Sequence, residues 1–123
     1  FIENAINGTP ITLHGSDEEK LDFTYIQDLI NGIICVIKSK NSINQIFNIT
    51  YGKSRNLKTL LKILKKSFPN LKVNYKKREK FTPKRGTLDI SKAKKLLKYS
   101  PEFSLEMAYP KYIEWYKKFI ISK

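Results

Sequence analysis

Cysteine, histidine, tryptophan and methionine occur once each in this chain. A single cysteine excludes an internal disulfide and suits a reducing compartment, so a cytoplasmic location is expected. Cys35 lies among Ile34, Val36 and Ile37 and reads as an inert buried thiol. One histidine and one cysteine are too few soft ligands for a metal site. No apolar run is long enough to span a membrane, and nothing has the make-up of a signal peptide. The five glycines are Gly8, Gly15, Gly32, Gly52 and Gly86. They are too scattered for a dinucleotide fingerprint, which needs closely spaced glycines after a strand so that the backbone can approach a pyrophosphate. Arginine is also scarce. Only Arg55, Arg78 and Arg85 accompany the lysines in a formal charge of +13.

What is present is one domain's worth of chain, 123 residues of which 41% are hydrophobic. The positive charge invites a nucleic-acid reading. Lysine, isoleucine and asparagine are abundant throughout, however, which points to a general compositional bias. Arginine is the preferred residue for bidentate phosphate and base contacts, so a lysine-heavy surface reads as a solvated one.

The pattern along the chain mixes helices and strands. Phe1, Ile2, Ala5 and Ile6 have helical spacing, stopped by Gly8. Pro10 opens a short strand, Ile11 to His14. Phe23, Tyr25 and Gln27 alternate with Thr24, Ile26 and Asp28, which predicts a strand running into a helix. Asp28 is placed as that helix's N-cap, with 29–37 mostly buried behind it. Gln45 to Thr50 reads as a strand. Leu57, Leu60, Leu61 and Leu64 mark an amphipathic helix capped by Asn56 or Ser54. Leu71, Val73 and Tyr75 alternate as an edge-like strand, followed by a basic loop from Lys76 to Gly86. Asp89 or Ser91 caps a helix through Leu97. A last helix starts near Ser104 and runs to about Ile121, with Tyr112, Trp115, Tyr116 and Phe119 expected on its inner face.

Several of these stretches carry a resemblance. Asp22-Phe23-Thr24-Tyr25-Ile26-x-Asp28-Leu29 resembles the (Arg)-Asp-Phe-x-Tyr-Val-x-Asp segment of the NAD-dependent epimerase/dehydratase family, the nucleotide-sugar enzymes among the extended short-chain dehydrogenase/reductases. Gly8-Thr9-Pro10-Ile11 through Gly15 resembles the family's G-x-P-I-x-x-x-G. Phe47-Asn48-Ile49 resembles its Y/F-N-I/L strand, and Asp89-Ile90-Ser91-Lys92-Ala93 through Leu97 its D-x-S-K-A-x-x-x-L. Pro101, Ser104-Leu105-Glu106 and Trp115-Tyr116 resemble its ending. Each piece is short, but in this order they cover nearly the whole chain.

The resemblance implies an α/β fold: the C-terminal substrate-binding lobe plus the last strand-helix elements of a Rossmann-type extended short-chain dehydrogenase/reductase. With Phe1 at its start, the chain is expected to be a piece of a longer one, residues 1–123 forming the substrate-binding part without the dinucleotide-binding part. The family's catalytic pair is Tyr-x-x-x-Lys on one helix face, and none of the seven tyrosines has lysine four residues later. The chain alone is therefore expected to be inactive. The parent would bind NAD through its other part, would oxidise a sugar carbon and return the hydride, and would work as a homodimer.

What the resemblance leaves to this chain is substrate binding. Arg78 stands about where the family keeps an arginine for the nucleoside diphosphate, with Arg85 in the same loop. A guanidinium fork suits two phosphate oxygens. Thr12 and His14 lie on the strand whose backbone, in the family, meets the base. Leu21 replaces the usual arginine, and Gly15-Ser16-Asp17 replaces Gly-Asp-Gly. The alternative reading is a lysine-rich nucleic-acid-binding module using Lys76, Lys77 and Arg78 with Tyr75 and Phe81, or a plain interaction domain. With nucleotide sugar as the ligand, neither nucleic acid nor a membrane is an expected partner.

Overall fold

The computed structural model describes residues 1–121. Helix α1 (Ile2–Ile6) leads through Gly8, in the left-handed region at φ +68°, into strand β1 (Ile11–His14). A two-residue strand β2 (Lys20–Leu21) precedes helix α2 (Ile26–Lys38) and a 3-10 turn, Lys40–Ser42. Strand β3 (Arg55–Asn56) runs directly into helix α3 (Leu57–Ser67). Strand β4 (Val73–Lys76), helix α4 (Ser91–Leu97) and helix α5 (Leu105–Ile121) complete the chain.

Two small sheets organise these elements. β1 and β4 pair in parallel, Ile11 with Val73 through His14 with Lys76, and the Gly15 amide extends the ladder to the Lys76 carbonyl at 2.9 Å. β2 and β3 pair antiparallel, Lys20 with Asn56 and Leu21 with Arg55. The period-2 pattern of β1 buries Ile11 and Leu13 on one side. They meet Ile2, Leu61, Leu64 and Ile113 in the main core. Burial of one such aliphatic side chain contributes about 1.5–3 kcal/mol. α3 follows its heptad-like leucines closely, and Asn56 caps it, its Oδ1 accepting the Thr59 amide at 3.0 Å.

A second cluster joins Ile90, Ala93, Leu97 and Tyr99 to Cys35, Val36, Phe47 and Ile49. Cys35 is half-buried in it as a free thiol. α2 approaches this cluster through Gly32, where a Cβ would run into Ile49 Cγ2.

Five expectations are corrected here: the strand before α2, the Asp28 cap, the burial of α2, the strand at 45–50 and the inner face of α5. Residues 22–25 are extended but form no strand, and the helix starts earlier, at Ile26, with Tyr25 in the cap position. Asp28 is not the cap. It is fully buried in the first turn, and its carboxylate accepts the amides of Glu102 and Phe103, each at 2.9 Å. α2 is not mostly buried either: Ile26, Ile30, Ile33 and Ile34 face outward, and Ile37 is 77% exposed. Its buried stripe is Asp28 and Gly32, with Cys35 and Val36 half-covered.

Gln45 to Thr50 forms no strand and is in neither sheet among the described residues, with Ile46 88% exposed. A strand needs a ladder partner, and this segment instead meets its neighbours through side chains, Asn48 Nδ2 donating to the Asp89 carbonyl at 2.9 Å. The inner face of α5 is Leu105, Ala108 and Ile113, with Tyr109 and Tyr116 half-buried. Tyr112, Trp115 and Phe119 lie outside, stacked along the helix at ring separations of 5.8 and 5.3 Å.

Candidate anion-binding cleft

In parallel strands the chain leaves each carboxyl end on the same side, which is where α/β folds commonly bind ligands. Here the loops after β1 and β4 emerge together, because His14 is the register partner of Lys76. Between them lies a cleft of about 140 Å³, lined by His14, Glu19, Lys20, Leu21, Leu57, Arg78, Thr82, Pro83 and Arg85. Three stretches far apart in sequence thus contribute to one concavity: residues 14–21 from the end of β1 through β2, Leu57 at the start of α3, and residues 78–85 in the loop after β4.

Three of the four sequence-predicted site residues meet here: His14, Arg78 and Arg85. Thr12 does not line the cleft. It shares a strand face with His14, one pleat away, and is half-buried opposite Asn74. Arg78 is the most constrained cation. Its Nη1 donates to Glu19 Oε1, and its Nη2 donates to the Thr82 carbonyl at 3.0 Å. His14 Nδ1 lies 3.6 Å from Glu79 Oε1. Arg85 and Lys20 have no carboxylate partner among the described residues.

Leu21, where an arginine was expected, lines the same wall as Lys20 and faces the same space as Arg85. Arg55, its strand partner, is drawn away: its Nε donates to Glu106 Oε1 at 2.7 Å. Burial works to raise the Glu106 carboxyl, but the hydrogen bond from Arg55 and others outweigh it and hold that group below its ordinary value.

Glu19 was missed by the sequence reading. Its partner is 59 residues away, and no local pattern announces the pairing. Asp22 was also missed as an organiser. Its carboxylate accepts from Thr50 Oγ1 at 2.9 Å and from the amides of Gly52 and Leu88, each at 3.2 Å, tying the segment before α2 to two loops.

A second, apolar groove of about 350 Å³ lies between residues 23–26 and α5, lined by Tyr25, Phe103, Tyr109 and Tyr112 among others. It offers no cation for a phosphate. Burial, helped by neighbouring Tyr112, pushes the Tyr109 hydroxyl up to about 12.

Residues 1–50 match the NAD dependent epimerase/dehydratase family. Over nearly its whole length, the chain is 33% identical over 120 residues to the UDP-glucuronate 4-epimerase of Thermodesulfobacterium geofontis, covering 96% of this chain and 36% of that protein. It is 27% identical over 119 residues to UDP-glucuronic acid decarboxylase 1 of Xenopus tropicalis, covering 96% and 28%. The crystal structure of UDP-glucuronic acid 4-epimerase from Bacillus cereus, in complex with UDP-glucuronic acid and NAD, superposes with a TM-score of 0.87 at 31% identity, covering 96% of this chain and 38% of that one. Residues 1–50 thus carry the pattern of the NAD dependent epimerase/dehydratase family, and nearly the whole chain is similar to nucleotide-sugar enzymes of that kind.

It spans about a third of the length of the curated relatives it matches. Its α/β fold is that of the extended short-chain dehydrogenase/reductase epimerases. NAD is the cofactor of this family, and it is present in the Bacillus cereus complex. The described residues of this chain do not fit a dinucleotide cradle: none of the starts of α2, α3, α4 and α5 follows closely spaced glycines. Gly52 has φ +74°, but it is packed against Ile90 and does not face an open space.

Proposed function

We propose that residues 1–123 are the C-terminal, substrate-binding part of an NAD-dependent nucleotide-sugar epimerase or dehydratase, and that the cleft between the β1 and β4 loops holds the nucleoside diphosphate. The observation that carries this reading is the convergence of His14, Lys20, Arg78 and Arg85 at the carboxyl ends of two parallel strands. Arg78 presents a planar fork to two phosphate oxygens, and Arg85 and Lys20 supply further charge beside Leu21. His14 donates to an oxygen at the rim, and the β1 backbone at Thr12 lies next to the base.

The exposed apolar face of α2 and the run at 45–49, which is in neither sheet, are what such a piece would present to the rest of a longer enzyme. NAD would be held by that other part, and the sequence offers neither the glycine fingerprint nor a Tyr-x-x-x-Lys of its own. The chain alone, given NAD, turns over no nucleotide sugar. The parent acts as a homodimer in the cytoplasm. No helix among the described residues is long and apolar enough to cross a membrane.

The test is calorimetric titration of the chain with uridine diphosphate and with UDP-glucuronic acid, the sugar nucleotide in the names of both curated relatives above. Arg78→Ala should weaken binding by roughly 1.5–3 kcal/mol, the range for hydrogen bonds to a charged group. Arg78→Lys should recover part of that, keeping the charge but not the fork. Lys76→Ala and Lys77→Ala, outside the cleft, should change little beyond a salt-screened contribution. Equal small losses on substitution of Lys76, Lys77 and Arg78 would mean a diffuse basic surface and would remove the assignment.

A further inference from the structure

Two of the cleft's nitrogen-bearing side chains already face a carboxylate of this chain: His14 faces Glu79, and Arg78 donates to Glu19. The two carboxylates differ in surroundings. The Glu79 side chain is 74% exposed, whereas that of Glu19 is 28% exposed against an Arg78 side chain at 26%. A largely exposed pair is screened and contributes little, while a half-buried one is screened much less.

Glu19 is also fixed from behind. Its carbonyl accepts the Leu57 amide at 3.0 Å, and its amide donates to the Ser16 carbonyl at 3.3 Å. Gly15 turns the chain beside the pair. Its φ of +104° is a conformation that suits glycine, and its Cα lies close enough that a Cβ would be in ordinary contact with Glu19 Oε1 and Arg78 Cβ, at 3.5 and 3.6 Å. The contact is thus built by three separate features: an anchored loop, a glycine beside it, and a guanidinium held at its other nitrogen by Thr82.

Carboxylate and phosphate oxygens are alternatives for the same donor, since both are anionic and only accept. A diphosphate carries more charge than Glu19. It can also reach Lys20 and Arg85, which Glu19 leaves unpaired. We propose that Glu19 is a displaceable internal carboxylate: it holds Arg78 when no phosphate is bound and yields the guanidinium fork to a diphosphate. The proposal rests on the reading of the cleft as a diphosphate site.

Its consequence is selectivity by charge. A nucleoside monophosphate, with one phosphate and fewer oxygens, competes poorly against Glu19, so the carboxylate lowers affinity for both ligands but favours the diphosphate over the monophosphate.

The experiment is titration of the chain with uridine diphosphate and uridine monophosphate, using wild type, Glu19→Gln, Arg78→Ala and the double variant. Glu19→Gln keeps the shape and removes the charge. It should tighten uridine diphosphate by about tenfold at roughly 50 mM salt, less at higher salt. Uridine monophosphate should gain more, so that the preference for the diphosphate shrinks. In the Arg78→Ala background, Glu19→Gln should lose most of its effect. Thermal melting accompanies each variant, and Glu19→Asp, which shortens the reach to Arg78, replaces Glu19→Gln if that chain does not fold. If wild-type binding does not depend on Arg78, the diphosphate reading fails and the proposal falls with it. If binding depends on Arg78 but Glu19→Gln leaves it unchanged or weaker, the cleft reading stands and displacement is overturned.

Discussion

The amide of Phe103 donates to Asp28 Oδ2 at 2.9 Å across 75 residues of chain, and the neighbouring Glu102 amide donates to Oδ1 at the same distance. One buried carboxylate in the first turn of α2 thereby holds the segment that leads into α5, and the Tyr25 ring packs on Phe103 with centroids 4.9 Å apart. The motif that carries the family resemblance is, at this residue, a structural clamp. Asp28→Ala leaves two buried amides without an acceptor and should destabilise the chain by roughly 2–4 kcal/mol. Asp28→Asn, which can still accept at one oxygen, should cost less. Urea unfolding measures both, and a loss within about 0.5 kcal/mol, the scatter of ordinary surface substitutions, would contradict the clamp.

Tyr99 gives a pH prediction. Its ring is almost fully buried, and its hydroxyl donates to the Thr50 carbonyl at 3.0 Å. Burial first, then the nearby Asp28, Asp22 and Cys35, push the hydroxyl up to about 12 from 10.0. The folded state therefore keeps a proton that the unfolded chain loses above about pH 10. That stability is fully present below the unfolded value and is lost as pH rises from about 10 through about 12. Tyr99→Phe should cost about 1 kcal/mol at neutral pH through the lost hydrogen bond. It should also make the alkaline decline shallower, leaving the share due to Tyr109. Unfolding at pH 7 and across the alkaline range tests both; an identical alkaline slope in the two proteins would exclude Tyr99 as a contributor.

How far the sequence could be read follows from where each signal resides. α3 was legible because its leucines repeat at helical spacing and its cap, Asn56, is adjacent. β1 was legible because Ile11 and Leu13 alternate with polar neighbours. α2 and α5 misled because both carry more apolar surface than this chain buries. In α5 the large aromatics Tyr112, Trp115 and Phe119 outweigh the smaller Leu105, Ala108 and Ile113 in any pattern, yet it is the smaller ones that are buried, Ile113 in the core formed with α1, β1 and α3. Asp28 and Glu19 were illegible as partners because their bonds cross 74, 75 and 59 residues. Of the cleft's lining, His14, Arg78 and Arg85 were singled out through resemblance, while the carboxylate that pairs with Arg78 has no local signature.

Gly32 offers a test of the α2 contact. Alanine is favoured over glycine inside a helix by about 0.8–1 kcal/mol. Here the added methyl would run into Ile49 Cγ2 and stand 3.2 Å from Tyr99 Cε2. Overpacking of this kind costs about 1–3 kcal/mol. Gly32→Ala should therefore lower the melting temperature in spite of its helix propensity, and Ile49→Ala in the same chain should restore part of the loss by vacating the space. A stabilised Gly32→Ala would mean that α2 and the Ile49 segment are not in contact.

The outer face of α2 predicts behaviour in solution. Ile26, Ile30, Ile33, Ile34 and Ile37 form an apolar stripe left uncovered by the rest of the described chain. Contiguous apolar surface of this kind promotes association. Glutamine is a good helix former and adds no charge, so Ile33→Gln with Ile37→Gln should leave the melting temperature close to wild type while reducing concentration-dependent light scattering. Val36 is the control. It lies one residue from Ile37 but is half-buried against the Ile90, Ala93, Leu97 and Tyr99 cluster. Val36→Gln places an amide against apolar neighbours and should cost about 1–3 kcal/mol. The contrast between adjacent positions separates a sticky exposed face from a packed one. Equal destabilisation by all three substitutions would mean that α2 is buried all round, as its composition first suggested.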